Sequence, residues 1–264
     1  MGDSENVWFQ VTGNWSKLCL AMGCIRIRLP GAFVHVYDVG RSSTFYNCVL
    51  VHDPALFHAD EAQRIFEERK LPFSVKIPDL KSFADLAEAL RADEYSLLPP
   101  WNLMMHEKVI GEGNPDVVVK SVASSQMSEW ITASNINELP QISRVARRKM
   151  LEEASQTSKA KFLLARLEEK PVGVGMLFME GHVASIHMMS TLPEFRRRHV
   201  ATTLVLQALT LRNGDIDLTW LRTRKGGMGE KVYTNLGFSS ITNILSYTTT
   251  PELEDGIKAK KPST

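Results

Sequence analysis

Apolar positions along the chain switch repeatedly between the three-to-four spacing of helices and the alternation of strands, and that order of switches predicts the elements. An opening helix carries Trp8, Phe9, Trp15, Leu18 and Leu20. Three strands are predicted next, Cys24–Leu29, Ala32–Asp38 and Phe45–His52, bounded by Pro30-Gly31 and by the polar run Gly40-Arg-Ser-Ser43. A helix over Ala59–Lys70, a strand over Phe73–Ile77, a helix over Ser82–Ala92 with Ser82 as its N-cap, and a strand over Trp101–Glu107 complete the first half. Lys108–Pro115, with Gly111, Gly113 and Pro115, is predicted as a linker.

Beyond the linker, Val117–Val122 predicts a strand and Ser124–Ala133 and Leu139–Ser155 predict helices, the second with a basic cluster at Arg147-Arg-Lys149. Lys161–Leu167 and Pro171–Met179 form a predicted hairpin around Glu168-Glu-Lys170. A buried strand, His182–Met189, enters a short turn and then a helix over Arg196–Arg212, where Val200, Leu204, Ala208 and Leu211 share one face with Val205 and Leu209 beside them. Ile216–Arg222 is a strand, Gly229–Leu236 a helix ending at Gly237, and Ser239–Thr249 one or two closing strands. The tail, residues 251–264, ends in Lys-Ala-Lys-Lys-Pro-Ser-Thr and is expected to be disordered. Both halves run strands first and then alternate helix and strand, without a strong sequence repeat.

Charge sharpens that division. The chain of 264 residues has formal net charge +1, which excludes a general nucleic-acid-binding surface. Residues 1–114 hold 11 basic and 15 acidic residues, whereas residues 115–264 hold 20 and 15. The positive half contains three consecutive arginines, Arg196, Arg197 and Arg198, at the start of a predicted helix. A helix start presents unpaired N–H groups and a partial positive charge, and arginines there add charge a pyrophosphate can use. An ordinary strand–helix connection with a solvated basic turn remains the alternative.

Cys19, Cys24 and Cys48 are the three cysteines, without metal-ligand spacing, and read as buried free thiols in a reducing compartment. The acidic start Met-Gly-Asp-Ser-Glu-Asn does not read as a signal peptide, and Asn6 departs from the myristoylation pattern begun by Gly2. No apolar run approaches the ~20 residues that span a bilayer. These features predict a soluble, cytoplasmic protein with no metal, no nucleic-acid partner and no membrane partner, as a monomer or homodimer.

Arg196-Arg-Arg-His-Val-Ala201 resembles the pyrophosphate loop of the GNAT superfamily of acyl-CoA-dependent N-acyltransferases, and Tyr233-Thr-Asn-Leu-Gly-Phe238 resembles its late Tyr-x-x-Leu-Gly-Phe signature. His199 stands where that family usually has glycine, so a side chain crowds the phosphate approach. The resemblance covers residues 115–250 and implies an α/β (α+β) GNAT fold with a mixed sheet there. Residues 1–110 are expected to be a degenerate GNAT-like scaffold domain, because Val51-His-Asp-Pro-Ala-Leu-Phe-His58 has no phosphate-loop pattern; an unrelated α+β domain is the alternative.

The resemblance also implies roles. Acetyl-CoA is the expected co-substrate, bound by Met188, Met189, Ser190 and Thr191 on the strand before the loop and by Arg196, Arg197, Arg198, His199, Val200, Ala201, Thr202 and Thr203 in the loop and helix start. The Met189 N–H is the expected oxyanion donor. The strand before the loop should splay from Ile216–Arg222 near Met189. Tyr233 is the expected general acid toward the coenzyme A thiolate, against a reading as a helix-end tyrosine packed on the sheet. His187, on the same strand face as Ser185 and Met189 if alternation holds, is the candidate base, with Glu194 the fallback. The implied activity is N-acetyltransfer to a primary amine of a small molecule; the alternatives are a non-catalytic acyl-CoA-binding or interaction module, and a peptide or protein N-acetyltransferase.

Overall fold

The computed structural model describes residues 3–38, 43–134, 141–212 and 214–250, so the predicted tail lies outside the described residues. The chain divides into two compact units whose segments interleave. Unit 1 comprises Met1–Trp101, Leu139–Ala146 and Thr242–Thr264; unit 2 comprises Asn102–Glu138 and Arg147–Ile241. Residues 102–110 therefore fall in unit 2, and the end of the last strand falls in unit 1, a division that a cut at a single linker does not anticipate.

Unit 1 begins with α1 (Asp3–Ala21), which buries Trp8, Val11, Trp15 and Leu18. Strands β1 (Ile25–Leu29), β2 (Ala32–Val36) and β3 (Cys48–Val51) form an antiparallel meander. Helix α2 (Ala59–Arg69) then crosses over to β4 (Ser74–Pro78), which lies parallel to β3. Helix α3 (Ala84–Ala92) follows a single 3-10 turn at Lys81–Phe83, so Ser82 lies within that turn and does not cap the helix. The two-residue strand β5 (Ser96–Leu97) went unpredicted because it is too short to show alternation. Strand β12 (Phe238–Thr248) is one continuous strand, and its Ile244–Tyr247 stretch pairs antiparallel with β4.

Unit 2 orders its strands β6 (Trp101–His106), β11 (Leu218–Arg224), β10 (Val183–Thr191), β9 (Lys170–Glu180), β8 (Ala160–Leu167) and β7 (Val117–Val122). β7 to β10 are antiparallel in succession, whereas β10 and β11 are parallel. The crossover between those two is α6 (Val200–Thr210), a helix whose Val200, Leu204, Val205, Ala208 and Leu209 are buried. They pack with Leu163, Val172, Leu177, Ala184, Ile186 and Leu221 from the sheet, which is the face periodicity had assigned. Helices α4 (Met127–Thr132) and α5 (Gln141–Ala154) precede β8, and α7 (Met228–Thr234) follows β11. Among the described residues no helix is long and apolar enough to cross a membrane.

One boundary moved in a way that matters. Helix α6 starts at Val200, four residues after the predicted Arg196. Arg197 (φ 62°) and His199 (φ 57°) take left-handed conformations that a helix cannot include, so the arginines form a turn ahead of the helix.

Candidate active site

Strands β10 and β11 pair from Val183–Leu218 to Ile186–Leu221 and no further, although β10 runs on to Thr191 and β11 to Arg224. Parallel neighbours that part before their ends open a wedge at the carboxyl end of the sheet, the usual ligand position in such topologies. On its other side β10 keeps its partner, but with a shift. His187 pairs Met176 and Ser190 pairs Val174, so Met188 and Met189 together oppose Gly175. This is a β-bulge, and Met188 sits at φ 54° within it.

The bulge reverses the alternation of side chains. Ala184 and Ile186 belong to the core under α6, and Met189 packs against that same core. His187 instead stands edge-on to Trp220, with ring centroids 5.3 Å apart. The expectation that His187 and Met189 share a face therefore fails, because one inserted residue moves every later side chain to the other side. Close packing supports the new arrangement: a Cβ on Gly175 would lie 2.5 Å from Met189 Sδ, and one on Gly173 would lie 2.9 Å from Val200 Cγ1.

The wedge leads into a cleft of about 790 Å³. Met189, Ser190, Thr191, Arg196, Arg197, His199, Val200, Ala201 and Thr202 line it, as does Tyr233. Val200, Ala201 and Thr202 form the first turn of α6, whose amides have no intrahelical acceptor. Three other predicted binding residues do not line the cleft: Met188 within the bulge, Arg198, and Thr203. The Arg198 guanidinium lies over the Phe195 ring at 5.7 Å, and Thr203 Oγ1 accepts a hydrogen bond from the Asn114 N–H at 2.9 Å.

Tyr233 is half-buried on α7, its ring 5.9 Å from that of Phe238, and burial pushes its phenol up to about 12. It stays protonated throughout the physiological range. His187 lies outside the cleft lining, 8% exposed, and its Nε2 has no hydrogen-bond partner among the described residues. Burial, with a smaller contribution from the Arg222 charge, lowers its pKa to about 3. The ring is therefore neutral near pH 7 and a weak base, since efficient proton transfer wants a pKa near the working pH.

Sequence reading missed several parts of this cleft. Met228, Val232 and Leu236 fall at i, i+4 and i+8 through α7 and beyond, a stripe that helical spacing could have revealed. Gly111 and Glu112 also line the cleft, although they fall in the predicted linker. That segment is packed: the Glu107 N–H donates to the Gly237 carbonyl at 3.0 Å, and the Asn114 side chain donates to the Arg198 carbonyl at 3.1 Å. Gly237 at φ 85° admits the strap because a Cβ there would lie 1.8 Å from the Lys108 carbonyl oxygen. Gly113, read as part of a flexible joint, serves close packing instead, since a Cβ there would lie 2.9 Å from Thr203 Oγ1.

A parallel pair that parts at a bulge, with a helix start and a helix-end tyrosine around the opening, can be compared with known proteins. The profile of the acetyltransferase (GNAT) family matches residues 125–238. Residues 125–238 belong to the GNAT family. Likeness of fold extends beyond the matched residues, across both units. A GCN5-related N-acetyltransferase from Kribbella flavida superposes with a TM-score of 0.69 at 15% identity, covering 94% of this chain and 96% of that one. A tandem GNAT protein from the clavulanic acid biosynthesis pathway, solved without AcCoA, gives 0.60 at 15% identity, covering 84% and 78%. A GCN5-related N-acetyltransferase from Sphaerobacter thermophilus gives 0.59 at 12% identity, covering 83% and 76%. The mixed-sheet α/β fold expected from sequence is that of these neighbours, and one of them is itself a tandem GNAT protein. No curated protein matches the sequence.

Proposed function

We propose that this GNAT protein transfers an acetyl group from acetyl-CoA to a primary amine of a small molecule. The observation that carries the reading is the parting of β10 and β11 after Ile186–Leu221 onto a cleft bounded by the first turn of α6 and by Tyr233. The residues present suit acetyl-CoA. Met189, Leu192, Val232 and Leu236 offer apolar walls for the pantetheine arm. Arg196, Arg197 and the first-turn amides of α6 offer donors and positive charge for the pyrophosphate. When bound, acetyl-CoA supplies a thioester carbonyl as electrophile.

The chain's own groups then have limited tasks. The Met189 N–H, at the bulge, is proposed to donate to the carbonyl oxygen as negative charge develops on it. Tyr233 is proposed to donate its hydroxyl hydrogen toward the departing sulfur. A phenol at about 12 is a weaker acid than an ordinary thiol near 8.5, so complete transfer to the thiolate is uphill. Its contribution is therefore a hydrogen bond that strengthens as the thiolate forms. His187, neutral and with Nε2 unpaired among the described residues, can accept a hydrogen bond from an amine or a bridging water but draws little proton from an ammonium. On this account the acceptor reacts as its neutral fraction, and the rate rises with pH following the amine's own ionisation.

Three buried cysteines, none of them in a disulfide, fit action in a reducing, cytoplasmic setting. The test is to incubate the full chain with acetyl-CoA and a panel of primary amines and to follow thiol release. Amine-dependent release supports the proposal. Coenzyme A binding without release to any amine would favour the reading as an acyl-CoA-binding module, which the weak basicity of His187 also favours.

A further inference from the structure

The turn ahead of α6 contains two left-handed residues with side chains, Arg197 at φ 62° and His199 at φ 57° and ψ 19°. Each is unfavourable for a residue with a Cβ, and such conformations persist only where surrounding contacts over-determine them. The contacts that do so come from the strap. The carbonyl of Arg198, between the two left-handed residues, accepts a hydrogen bond from Asn114 Nδ2 at 3.1 Å. The carbonyl of His199 accepts from the Thr203 N–H at 2.9 Å and from Thr203 Oγ1 at 3.0 Å, and that hydroxyl in turn accepts from the Asn114 N–H at 2.9 Å. Asn114 therefore grips the turn twice, once directly and once through Thr203.

Asn114 is itself held in place. Its Oδ1 accepts the Asp116 N–H at 2.9 Å, which orients the amide so that Nδ2 is the group left for Arg198. A Cβ on Gly113 would lie 2.9 Å from Thr203 Oγ1, so the strap reaches α6 because that position has none. At its other end the strap is tied to Gly237, past the end of α7.

We propose that Asn114 is a positioning residue that holds the turn Arg197–His199 left-handed, so that the following amides and Arg197 face the cleft as an anion seat. The inference rests on the proposed reading of that seat as the coenzyme A pyrophosphate site. Asn114 takes over what glycine would supply at position 199, where backbone freedom removes the need for a strut. An aspartate at 114 could not replace it, because a carboxylate has no hydrogen to donate to the Arg198 carbonyl.

The test is titration calorimetry of coenzyme A on the full chain, with Asn114→Ala measured in two backgrounds. In the wild-type background Asn114→Ala should weaken binding about tenfold, the worth of a hydrogen bond and the order it imposes. On a His199→Gly background the same substitution should cost less than about threefold, because glycine reaches the left-handed region unaided. Thr203→Val, close to isosteric, should repeat the pattern at about half the effect on a free-energy scale. Thermal unfolding of each variant guards against misfolding, and if Asn114→Ala does not fold then Thr203→Val carries the comparison. Equal losses in both backgrounds, or no loss in either, would overturn the proposal. Absence of coenzyme A binding by the wild-type chain would overturn the cofactor reading and this inference with it.

Discussion

The two units each contain a parallel strand pair joined by a crossover helix, and they treat that junction in opposite ways. In unit 2, β10 outruns its last pair with β11 by five residues, bulges, and opens onto the cleft. In unit 1, β3 ends at Val51, one residue past its last pair with β4. The Val51 carbonyl accepts the Trp8 indole N–H at 2.7 Å, and the N–H groups of His52 and Asp53 both donate to the Gly31 carbonyl. Groups that a ligand would need are already taken. The helix starts differ as well. The first turn of α2 carries Asp60 and Glu61, which satisfy the helix dipole and repel phosphate; the first turn of α6 carries no acid and follows three arginines. On the function proposed above, the crossover whose strands part and whose helix start carries no acid is the binding site, and the one closed by Trp8 and Gly31 is the scaffold.

The largest effect should come from unsealing the closed junction. Trp8→Ala removes a fully buried indole and orphans the Val51 carbonyl, and should destabilise unit 1 by about 4 kcal/mol, read from denaturant unfolding. It should not create a second coenzyme A site; if it did, Trp8 alone would be the difference between the junctions. At the open junction, Tyr233→Phe should lower turnover by roughly 100-fold with coenzyme A affinity nearly unchanged, the low end of proton-donor contributions. Full turnover under conditions where chemistry limits the rate would remove Tyr233 from the reaction.

Arg196→Ala/Arg197→Ala should weaken coenzyme A binding by about tenfold or more, at a stoichiometry of one per chain, with the loss shrinking in high salt. Two sites per chain would end the contrast between the units. The smallest effect concerns pH. His187 binds a proton more weakly folded than unfolded, so its contribution is complete above about pH 6.5 and declines as pH falls toward about 3. Between pH 6.5 and 5.5 the loss should be roughly 1 kcal/mol, and His187→Phe should flatten the stability curve there. His52 and His106 are shifted in the same direction by burial and add to the slope in both variants.

Much of this molecule was legible in the pattern of its residues. Alternation and helical spacing located nearly every strand and helix of three residues or more, because burial of one face is written directly into local order. Trp8 and Trp15 announced the core of α1, and Val200, Leu204, Val205, Ala208 and Leu209 were placed on the buried face of α6, whereas Leu211 falls past the helix end and is half-buried. The two motifs, Arg196–Ala201 and Tyr233–Phe238, fall on two sides of the cleft, because a turn into a helix start and a helix ending each constrain a short stretch of chain.

What tertiary structure alone decided lies where two distant segments meet. No local pattern marks the bulge at Met188–Met189, because it is defined by Gly175 on the neighbouring strand, and it determines that His187 and Met189 face apart. Gly113 reads as part of a linker, since a glycine chosen for close approach and one chosen for flexibility are the same letter. Likewise the sealing of β3 depends on Trp8, 43 residues away in the chain, reaching the Val51 carbonyl. Periodicity records which face of an element is buried; it does not record which partner buries it, and at both junctions the partner decides whether there is a site.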